Sequence, residues 1–410
     1  MNVVGVISEY NPFHQGHQFH LEESRRITEA DYCITVMSGD YVQRGTPAVL
    51  SKHKRAEMAL LNGADLVLEL PVSYAAGSAE YFAGGAVSIL QKLGVVTHLS
   101  FGSEYGDLQP FPALAKILDE EPAHYQDTLK AALKDGISFP AARAMALSGY
   151  LTENPQVCPI EEDALPDFLS SPNNLLGLEY CKALRRQGSK IQPVTISRRG
   201  KGYHETALEK YASATAIRKE LTEGPDWIVL SVVLPKTIYK ILQEEYQKTL
   251  PICEDDFSLL LKYKLMQESA QSLCDYQDVT SDLACRIKNR ENEFQSFSQF
   301  SQLLKTKELT HTRICRALLH ILLGIHAPQP IAYARVLGMK KEASPLLSQI
   351  KEKSRIPLLT KLADSPALLS EEGRQALELD VFASNLYESV LCHKFQKDFV
   401  HEYQKPLVIL

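Results

Sequence analysis

The sequence predicts an α/β fold: a doubly wound parallel-sheet domain over residues 1–224, followed by an all-helical domain over residues 225–410. Three observations carry this. A short apolar, β-branched run at the amino terminus leads through a turn into an amphipathic helix. Strand-like and helix-like runs then alternate at βαβ spacing, which builds parallel sheets. After Gly224-Pro225 the strand-like runs stop and helical patterns succeed one another.

The elements follow in order. Asn2-Val3-Val4-Gly5-Val6-Ile7-Ser8 is a buried strand. Pro12 and Gly16 turn the chain, and Phe19, Ile27, Glu22, Glu23, Arg25 and Arg26 fit an amphipathic helix from His17. Tyr32-Cys33-Ile34-Thr35-Val36-Met37 is a second strand, ended by Ser38-Gly39-Asp40. Residues 52–61 have helical spacing. Leu66-Val67-Leu68-Glu69-Leu70 is a third strand, stopped by Pro71. Residues 78–93 form a helix despite Gly84-Gly85. His98-Leu99-Ser100-Phe101 is a fourth strand, and helices fill 112–149. Residues 154–172, rich in proline and acid, are expected as a loop. Residues 174–186 are a helix, and Gln192-Pro193-Val194-Thr195-Ile196 is an edge-like last strand. A helix opens at Ser213. In the second half, helices are expected at 234–247, 257–266, 294–304, 310–323, 344–350 and 380–395.

Composition narrows the function classes. The chain is 45% hydrophobic and 23% charged, so a sizeable core is available. No apolar run reaches the length of a membrane span, and the amino terminus lacks a basic leader, so a cytoplasmic protein is expected. The eight cysteines form no C-x-x-C pair and sit mostly in apolar runs, as buried reduced thiols do. The net charge of −6 excludes nonspecific nucleic-acid attraction by the whole molecule. One segment differs. Between residues 301 and 360 ten Lys/Arg (Lys305, Lys307, Arg313, Arg316, Arg335, Lys340, Lys341, Lys351, Lys353, Arg355) face three acids (Glu308, Glu342, Glu352). That segment is +7 and the rest is −13, which points to a polyanion such as RNA on the helical domain.

The chemistry concentrates in Glu9-Tyr10-Asn11-Pro12-Phe13-His14-Gln15-Gly16-His17-Gln18-Phe19-His20. His14 and His17 lie on the first strand-to-helix turn. Free backbone N–H groups and the helix dipole favour an anion there, at the carboxyl end of the strand where open α/β sheets bind ligands. Imidazole donors suit phosphate oxygens, and attack on an α-phosphate builds negative charge on them. The competing account has two loop histidines that merely cap a helix. His20 is expected as a satisfied structural histidine. No G-x-x-x-x-G-K-[ST] or G-x-G-x-x-G is present, which disfavours kinase-type and dinucleotide sites.

A second cradle is Ser213-Ala214-Thr215-Ala216-Ile217-Arg218, with hydroxyls at a helix start and a basic residue in its first turns. An ordinary N-cap fits that stretch equally well. Gly102, after the fourth strand, could let backbone approach an adenine or ribose, or be a plain turn glycine. Asn173 and Asn174 precede a helix and suit a cap or a nucleotide contact. Of the adjacent Arg198 and Arg199, one can reach a phosphate while the other faces solvent. The Gln43-Arg44-Gly45-Thr46-Pro47-Ala48 loop and Ser51-Lys52-His53-Lys54-Arg55 are expected to be solvated, the usual fate of such charges. No carboxylate cluster announces a metal site. Magnesium is expected on ATP phosphates on chemical grounds.

Together these stretches resemble a known family, the bacterial tRNA(Met) cytidine acetate ligases of the H-x-G-H nucleotidyltransferase superfamily. The matching residues are Val4-Gly5-Val6-Ile7-Ser8 with the Glu9-to-His17 turn, Met37-Ser38-Gly39-Asp40-Tyr41-Val42-Gln43-Arg44-Gly45-Thr46-Pro47-Ala48 and Asp65-Leu66-Val67-Leu68-Glu69-Leu70-Pro71. They continue with Phe101-Gly102-Ser103-Glu104, Pro172-Asn173-Asn174-Leu175-Leu176-Gly177, Ala212-Ser213-Ala214-Thr215-Ala216-Ile217-Arg218 and Leu304-Lys305-Thr306-Lys307. The resemblance implies a nucleotidyltransferase domain followed by a helical tRNA-binding domain. It implies that acetate attacks the α-phosphate of ATP, giving acetyl-adenylate and pyrophosphate. The exocyclic amine of the wobble cytidine of elongator tRNA(Met) then takes the acetyl group, forming N4-acetylcytidine and releasing AMP. It further implies that ATP is bound by Ile7, Ser8, Glu9, Tyr10, Asn11, Pro12, Phe13, His14, Gln15, Gly16, His17, Gln18, Phe19 and His20. Gly102, one of Asn173 and Asn174, and one of Arg198 and Arg199 join them. Spacing from Tyr203-His204 favours Arg198, and the same offset favours Asn174. Ala214 stands where the wider superfamily usually carries a hydroxyl.

Two other functions share parts of this pattern. A small-molecule adenylyltransferase would use the H-x-G-H turn but has no use for a basic helical domain. A nucleotide-sensing RNA-binding protein would not need both histidines.

Overall fold

The computed structural model describes residues 1–198, 213–307 and 309–410; Arg199, Tyr203 and His204 lie outside them. The strands are β1 (Val3–Ser8), β2 (Tyr32–Ser38), β3 (Tyr41–Val42), β4 (Thr46–Pro47), β5 (Leu66–Leu70), β6 (His98–Ser103), β7 (Gln192–Ser197), β8 (Ala334–Met339), β9 (Leu358–Leu359) and β10 (Val408–Ile409). The main sheet runs in the order β10-β8-β5-β2-β1-β6-β7, with β9 also paired to β8, and β3 and β4 form a separate hairpin. β1, β2, β5, β6 and β7 are mutually parallel where they pair. Val3, Val4, Val6, Ile34, Val36, Leu66 and Leu68 are buried, as strands covered on both faces require. β7, with Pro193 and a half-exposed pattern, closes one edge as the sequence predicts.

Three large cores lie on and beside this sheet, with a smaller fourth around Tyr333, Leu359 and Leu377. One face is covered by the helices Ala79–Lys92, Pro110–Glu120 and Pro172–Arg186, through residues such as Phe82, Leu114 and Leu178. The other face is covered by α1 (Gln15–Thr28) and α2 (Lys52–Leu61), and by the helices Ala214–Glu223, Trp227–Val233 and Lys236–Glu245, through Leu21, Ala56, Ile217, Leu230 and Ile238. A third core joins the helices Ser258–Gln267, Ser281–Arg290, Phe297–Leu303 and His311–Leu323 to the later turns of Glu371–Phe395. Tyr41, Val72 and Ala76 from the sheet side belong to this third core, so the bundle grows out of the loops at the sheet's carboxyl end.

The α/β class and the helical addition are as expected, but strands do not end at Gly224. β8 lies inside the sheet, antiparallel to β5, and carries β9 and β10. Its sequence, Ala-Arg-Val-Leu-Gly-Met, hides it: one charge and one glycine interrupt the apolar run, although all six residues are buried. Arg335 is tolerated there because Glu69 (2.8 Å) and Glu402 (2.5 Å) neutralise it. The acidic, proline-rich 154–172 stretch is likewise not all loop, since Leu165–Ser170 is helical.

The expectation of a solvated Ser51-Lys52-His53-Lys54-Arg55 face fails at two residues. Lys52 and Arg55 are fully buried. Lys52 Nζ contacts Glu69 (2.7 Å), Glu402 (3.0 Å) and Asp40 (3.8 Å) and donates to Ser384 Oγ (2.6 Å). Burial and Arg335 oppose its charge, yet the three carboxylates outweigh them and raise its pKa above the ordinary lysine value. Arg55 donates to the carbonyls of Glu9 (2.6 Å), Ser38 (3.1 Å), Leu50 (3.1 Å) and Gly39. Composition sets both charges outside; the ladder of otherwise unpaired carbonyls and carboxylates at the strand ends draws them in.

Candidate active site

The carboxyl end of β1 runs from Ile7 and Ser8 into a turn that is pinned on every side. Arg55 holds the Glu9 carbonyl, and Glu9 Oε1 accepts the Gln43 N–H (2.9 Å). Tyr10 takes φ +45°, and buried Asn11 accepts the Val49 N–H on Oδ1 (2.8 Å). Pro12 and Phe13 are buried beneath, while Gln15 and Gly16 face out. Gln15 reaches across to the Val232 carbonyl (2.7 Å), bringing the helix Trp227–Val233 to the rim. Gln18 bonds Glu22 along α1, and Phe19 is half-buried.

His14 is the N-cap of α1. Its Nδ1 accepts the Gly16 N–H (3.0 Å), and His17 Nδ1 accepts the His14 N–H (3.3 Å), a reciprocal capping box. Capping and chemistry are therefore not alternatives. With both Nδ1 atoms accepting, each neutral ring carries its proton on Nε2, so both present a donor away from the backbone. The rings stack with centroids 3.8 Å apart, and Tyr10 (5.0 Å) and Phe13 (5.5 Å) wall His17. Burial, then Arg198 and Arg218, push the His14 pKa down to about 4. Burial, His14, His20 and Arg198 lower that of His17 well below its usual value. Both imidazoles are neutral donors at pH 7. His20 meets Ser100 Oγ (3.3 Å) on β6, a structural partner, and burial with Arg198 lowers it to about 4.

The second cradle meets the first. Arg218 donates to the Asn11 carbonyl (2.6 Å) and to Thr215 Oγ1 (3.1 Å), while Ser213 Oγ caps its own helix at Ala216 N–H (3.1 Å). Ser213 is thus an N-cap, Thr215 braces Arg218, and the cation is what reaches the turn. Gly102, on β6, lies under Arg198: a Cβ there would sit 3.4 Å from Arg198 Cγ. Arg198 is exposed, with its charge felt at His14, His17 and His20. Asn174 is buried, and its carboxamide is engaged at both ends: Oδ1 accepts the Glu104 and Tyr105 N–H groups, and Nδ2 donates to the Phe168 carbonyl. It shapes the loop after Gly102. Asn173 donates to Glu104 Oε1 (2.5 Å) and is the half-exposed member of the pair. Among the described residues no cluster of three or more His, Cys, Asp or Glu could hold a metal ion, so divalent cation would have to be held mainly by phosphate oxygens.

This is a cationic, donor-rich strand-turn-helix with no nucleophile among its paired donors, suited to binding a triphosphate and stabilising charge on its α-phosphate. The HIGH Nucleotidyl Transferase family model matches residues 1–402. A tRNA(Met) cytidine acetate ligase of Acetivibrio thermocellus is 40% identical, with 96% of each chain covered. One from a Thermoanaerobacter species is 39% identical over the whole of both chains. The crystal structure of Thermotoga maritima TmcAL bound with alpha-thio ATP superposes with a TM-score of 0.90 at 31% identity, covering all of both chains, and its apo form with 0.92 at 32%. The chain belongs to the tRNA(Met) cytidine acetate ligase family.

In this ligase fold the sequence-predicted residues divide. His14, His17, Gly102, Arg198, Arg218 and the Asn11 carbonyl gather at one place. The basic segment does not. Lys305 and Lys307 are exposed on the bundle, Arg313 is half-buried there, and Arg316 pairs with Asp278 (2.8 Å). Lys340, by contrast, donates its N–H to the Asp65 carbonyl and pairs with Asp65 (3.6 Å), at the amino ends of β2 and β5. Exposed Lys341 follows it, whereas exposed Arg355 lies three residues before β9, whose Leu358 pairs with Ala334 at the start of β8. β8 carries the chain across the sheet in between, about 20 Å at strand rise. The +7 segment is therefore not one patch: Lys340 and Lys341 lie at the opposite end of the sheet from Lys305, Lys307 and Arg313. Sequence reasoning missed Lys52, Arg55 and Glu104. Their only signal is that all three lie in or beside the motif stretches.

Proposed function

We propose that this chain adenylates acetate at the His14–His17 turn and passes the acetyl group to the wobble cytidine of elongator tRNA(Met). A carboxylate oxygen of acetate attacks the α-phosphorus of ATP, and the bond to the β-phosphate oxygen breaks to release pyrophosphate. His14 and His17, with Nε2–H groups turned outward, donate to the α-phosphate oxygens as charge builds there. Arg198 and Arg218 hold the remaining phosphate charge, and Gly102 leaves room for the nucleoside. Mg2+ would enter on the triphosphate and shield it. The exocyclic amine of the cytidine then attacks the acyl carbon, loses a proton, and expels AMP, leaving N4-acetylcytidine. An anticodon-loop base can be splayed into such a site because it is single-stranded. Among the described residues no helix is long and apolar enough to cross a membrane, and a tRNA substrate fits a cytoplasmic enzyme.

The observation that carries this reading is the pair of neutral imidazoles whose Nδ1 atoms are both occupied by backbone N–H groups. The test is exchange of radiolabelled pyrophosphate into ATP, with and without acetate. Acetate-dependent exchange is expected. Exchange independent of acetate would indicate a different adenylated substrate, and its absence in folded protein would overturn adenylation. For His17→Ala the exchange rate should fall about 10²–10³-fold with the fold intact, the cost of one lost charge-stabilising donor. Near-parental exchange would remove His17 from the chemistry.

A further inference from the structure

We propose that Arg286, Arg313, Lys305 and Lys307 form a phosphate clamp for the RNA substrate, and that Lys340 and Lys341 take no part in holding it. The inference rests on the tRNA reading above and adds to it the residues and the side of approach.

Arg286 lies on the helix Ser281–Arg290, and its Nη2 reaches the Lys305 carbonyl (3.5 Å). Lys305 and Lys307 follow the helix Phe297–Leu303, and Arg313 is in the first turn of His311–Leu323. The two arginines are half-buried, and the Nε of each is buried without a hydrogen-bond partner. Among the described residues none of these four cations has a carboxylate partner. Their neighbours do: Lys288 with Glu291, Arg290 with Glu293, Arg316 with Asp278 and Lys264 with Glu268. A desolvated guanidinium nitrogen left unpaired amid paired cations is poised for an anion from outside, and the planar fork of arginine matches phosphate oxygens.

Location decides the partner's approach. Gly45, at φ +79°, packs directly on the backbone of Cys315 and Arg316, one turn beyond Arg313. The adjoining Arg44 is close enough for its charge to act on Arg218, which is bonded to the Asn11 carbonyl beside His14. The bundle's basic edge therefore faces the carboxyl end of the sheet, as the histidine turn does. An RNA gripped there can deliver a loop base to the adenylate. Lys340 and Lys341 lie at the opposite end of the sheet.

The test compares Arg286→Ala/Arg313→Ala, Lys305→Ala/Lys307→Ala and Lys340→Ala/Lys341→Ala with the parent in binding of an elongator tRNA(Met) transcript over a range of salt. The first two variants should bind at least about ten-fold more weakly and lose up to about two units of salt slope, one per phosphate contact. Lys340→Ala/Lys341→Ala should bind as the parent does. Lys305 and Lys307 are exposed, so their substitution leaves the core intact even if the arginine variant unfolds. Parental affinity and slope in Lys305→Ala/Lys307→Ala, or a loss confined to Lys340→Ala/Lys341→Ala, overturns the clamp. Failure of the parent to bind or acetylate tRNA overturns the substrate reading instead.

Discussion

Replacing His14 with asparagine isolates the energetic cost of keeping the site neutral. Folding depresses the His14 pKa from 6.5 to about 4, chiefly by burial and then by Arg198 and Arg218. The unfolded chain therefore takes up the proton first as pH falls. Stability contributed by this depression is complete above the unfolded pKa and drains away between about 6.5 and 4. At pH 5 a shift of this size costs about 2 kcal/mol relative to pH 7 for this one group. His14 is buried, so solvent screening reduces that figure little. Asparagine keeps the cap, because its Oδ1 can accept the Gly16 N–H as Nδ1 does, and it is a preferred N-cap residue. It cannot titrate. Urea unfolding of the nucleotide-free proteins at pH 7 and pH 5 measures the difference. Groups that His14 does not influence, including Asp380, which burial and Glu69 push up to about 6, contribute equally to both proteins and cancel, while His17, whose pKa His14 helps to lower, is relieved in the variant and changes the difference in the same direction. The asparagine variant should lose about 2 kcal/mol less than the parent on acidification. An equal loss in both would refute the claim that the His14 ring is held neutral by its surroundings.

Two further substitutions probe the scaffold. In Gly45→Ala the new Cβ would fall 2.3 Å from the Arg316 nitrogen and 2.5 Å from the Cys315 carbonyl carbon, in a left-handed conformation. Since backbone on both sides must move, a loss of about 3 kcal/mol or more in urea unfolding is expected; parental stability would mean that hairpin and bundle do not meet as described. Lys52→Met leaves buried Glu69 and Glu402 with Arg335 and removes the cation beside Asp40, and should cost about 3–5 kcal/mol at pH 7. Adding Glu402→Gln should restore part of it; strictly additive losses would show that the pair does not interact.

The amino-terminal strands were legible because a parallel strand covered on both faces is written as an unbroken apolar run. Val3-Val4-Gly5-Val6-Ile7 and Leu66-Val67-Leu68 show this plainly. β8 was not legible because Arg335 sits within it, and only the distant Glu69 and Glu402 make that charge compatible with a core strand. The histidine turn was legible as local geometry: one strand, one turn, one helix start. Arg218 reads as part of a phosphate cradle and one of Arg198 and Arg199 as able to reach a phosphate, but their meeting at this turn is a matter of tertiary structure, since each is far away in sequence. Lys52 and Arg55 were misjudged because type alone says that such residues are solvated, whereas their partners are carbonyls and carboxylates contributed by five separate segments. The linear charge count failed for a related reason. It cannot register that one strand carries the chain from one end of the sheet to the other.

That buried network also changes what the carboxy-terminal half contributes. Ser38-Gly39-Asp40 lies next to the histidine turn, tied to it through Arg55, which bonds the carbonyls of Glu9, Ser38 and Gly39. Glu69 fills the space over Gly39, where a Cβ would come within 2.5 Å of its Oε1. Glu69 is in turn held by Lys52 and Arg335, and both share Glu402. Arg335, Glu402 and Ser384, the last bonded to Lys52 Nζ, all come from beyond residue 330. A buried carboxylate deprived of these partners would be an uncompensated charge directly beneath the site floor. The amino-terminal half therefore supplies the groups that meet the nucleotide, and the carboxy-terminal half supplies the counter-charges that let those groups be packed in place. A catalytic domain ending near residue 224 would lack both the strands that complete its sheet and the charges that neutralise its floor.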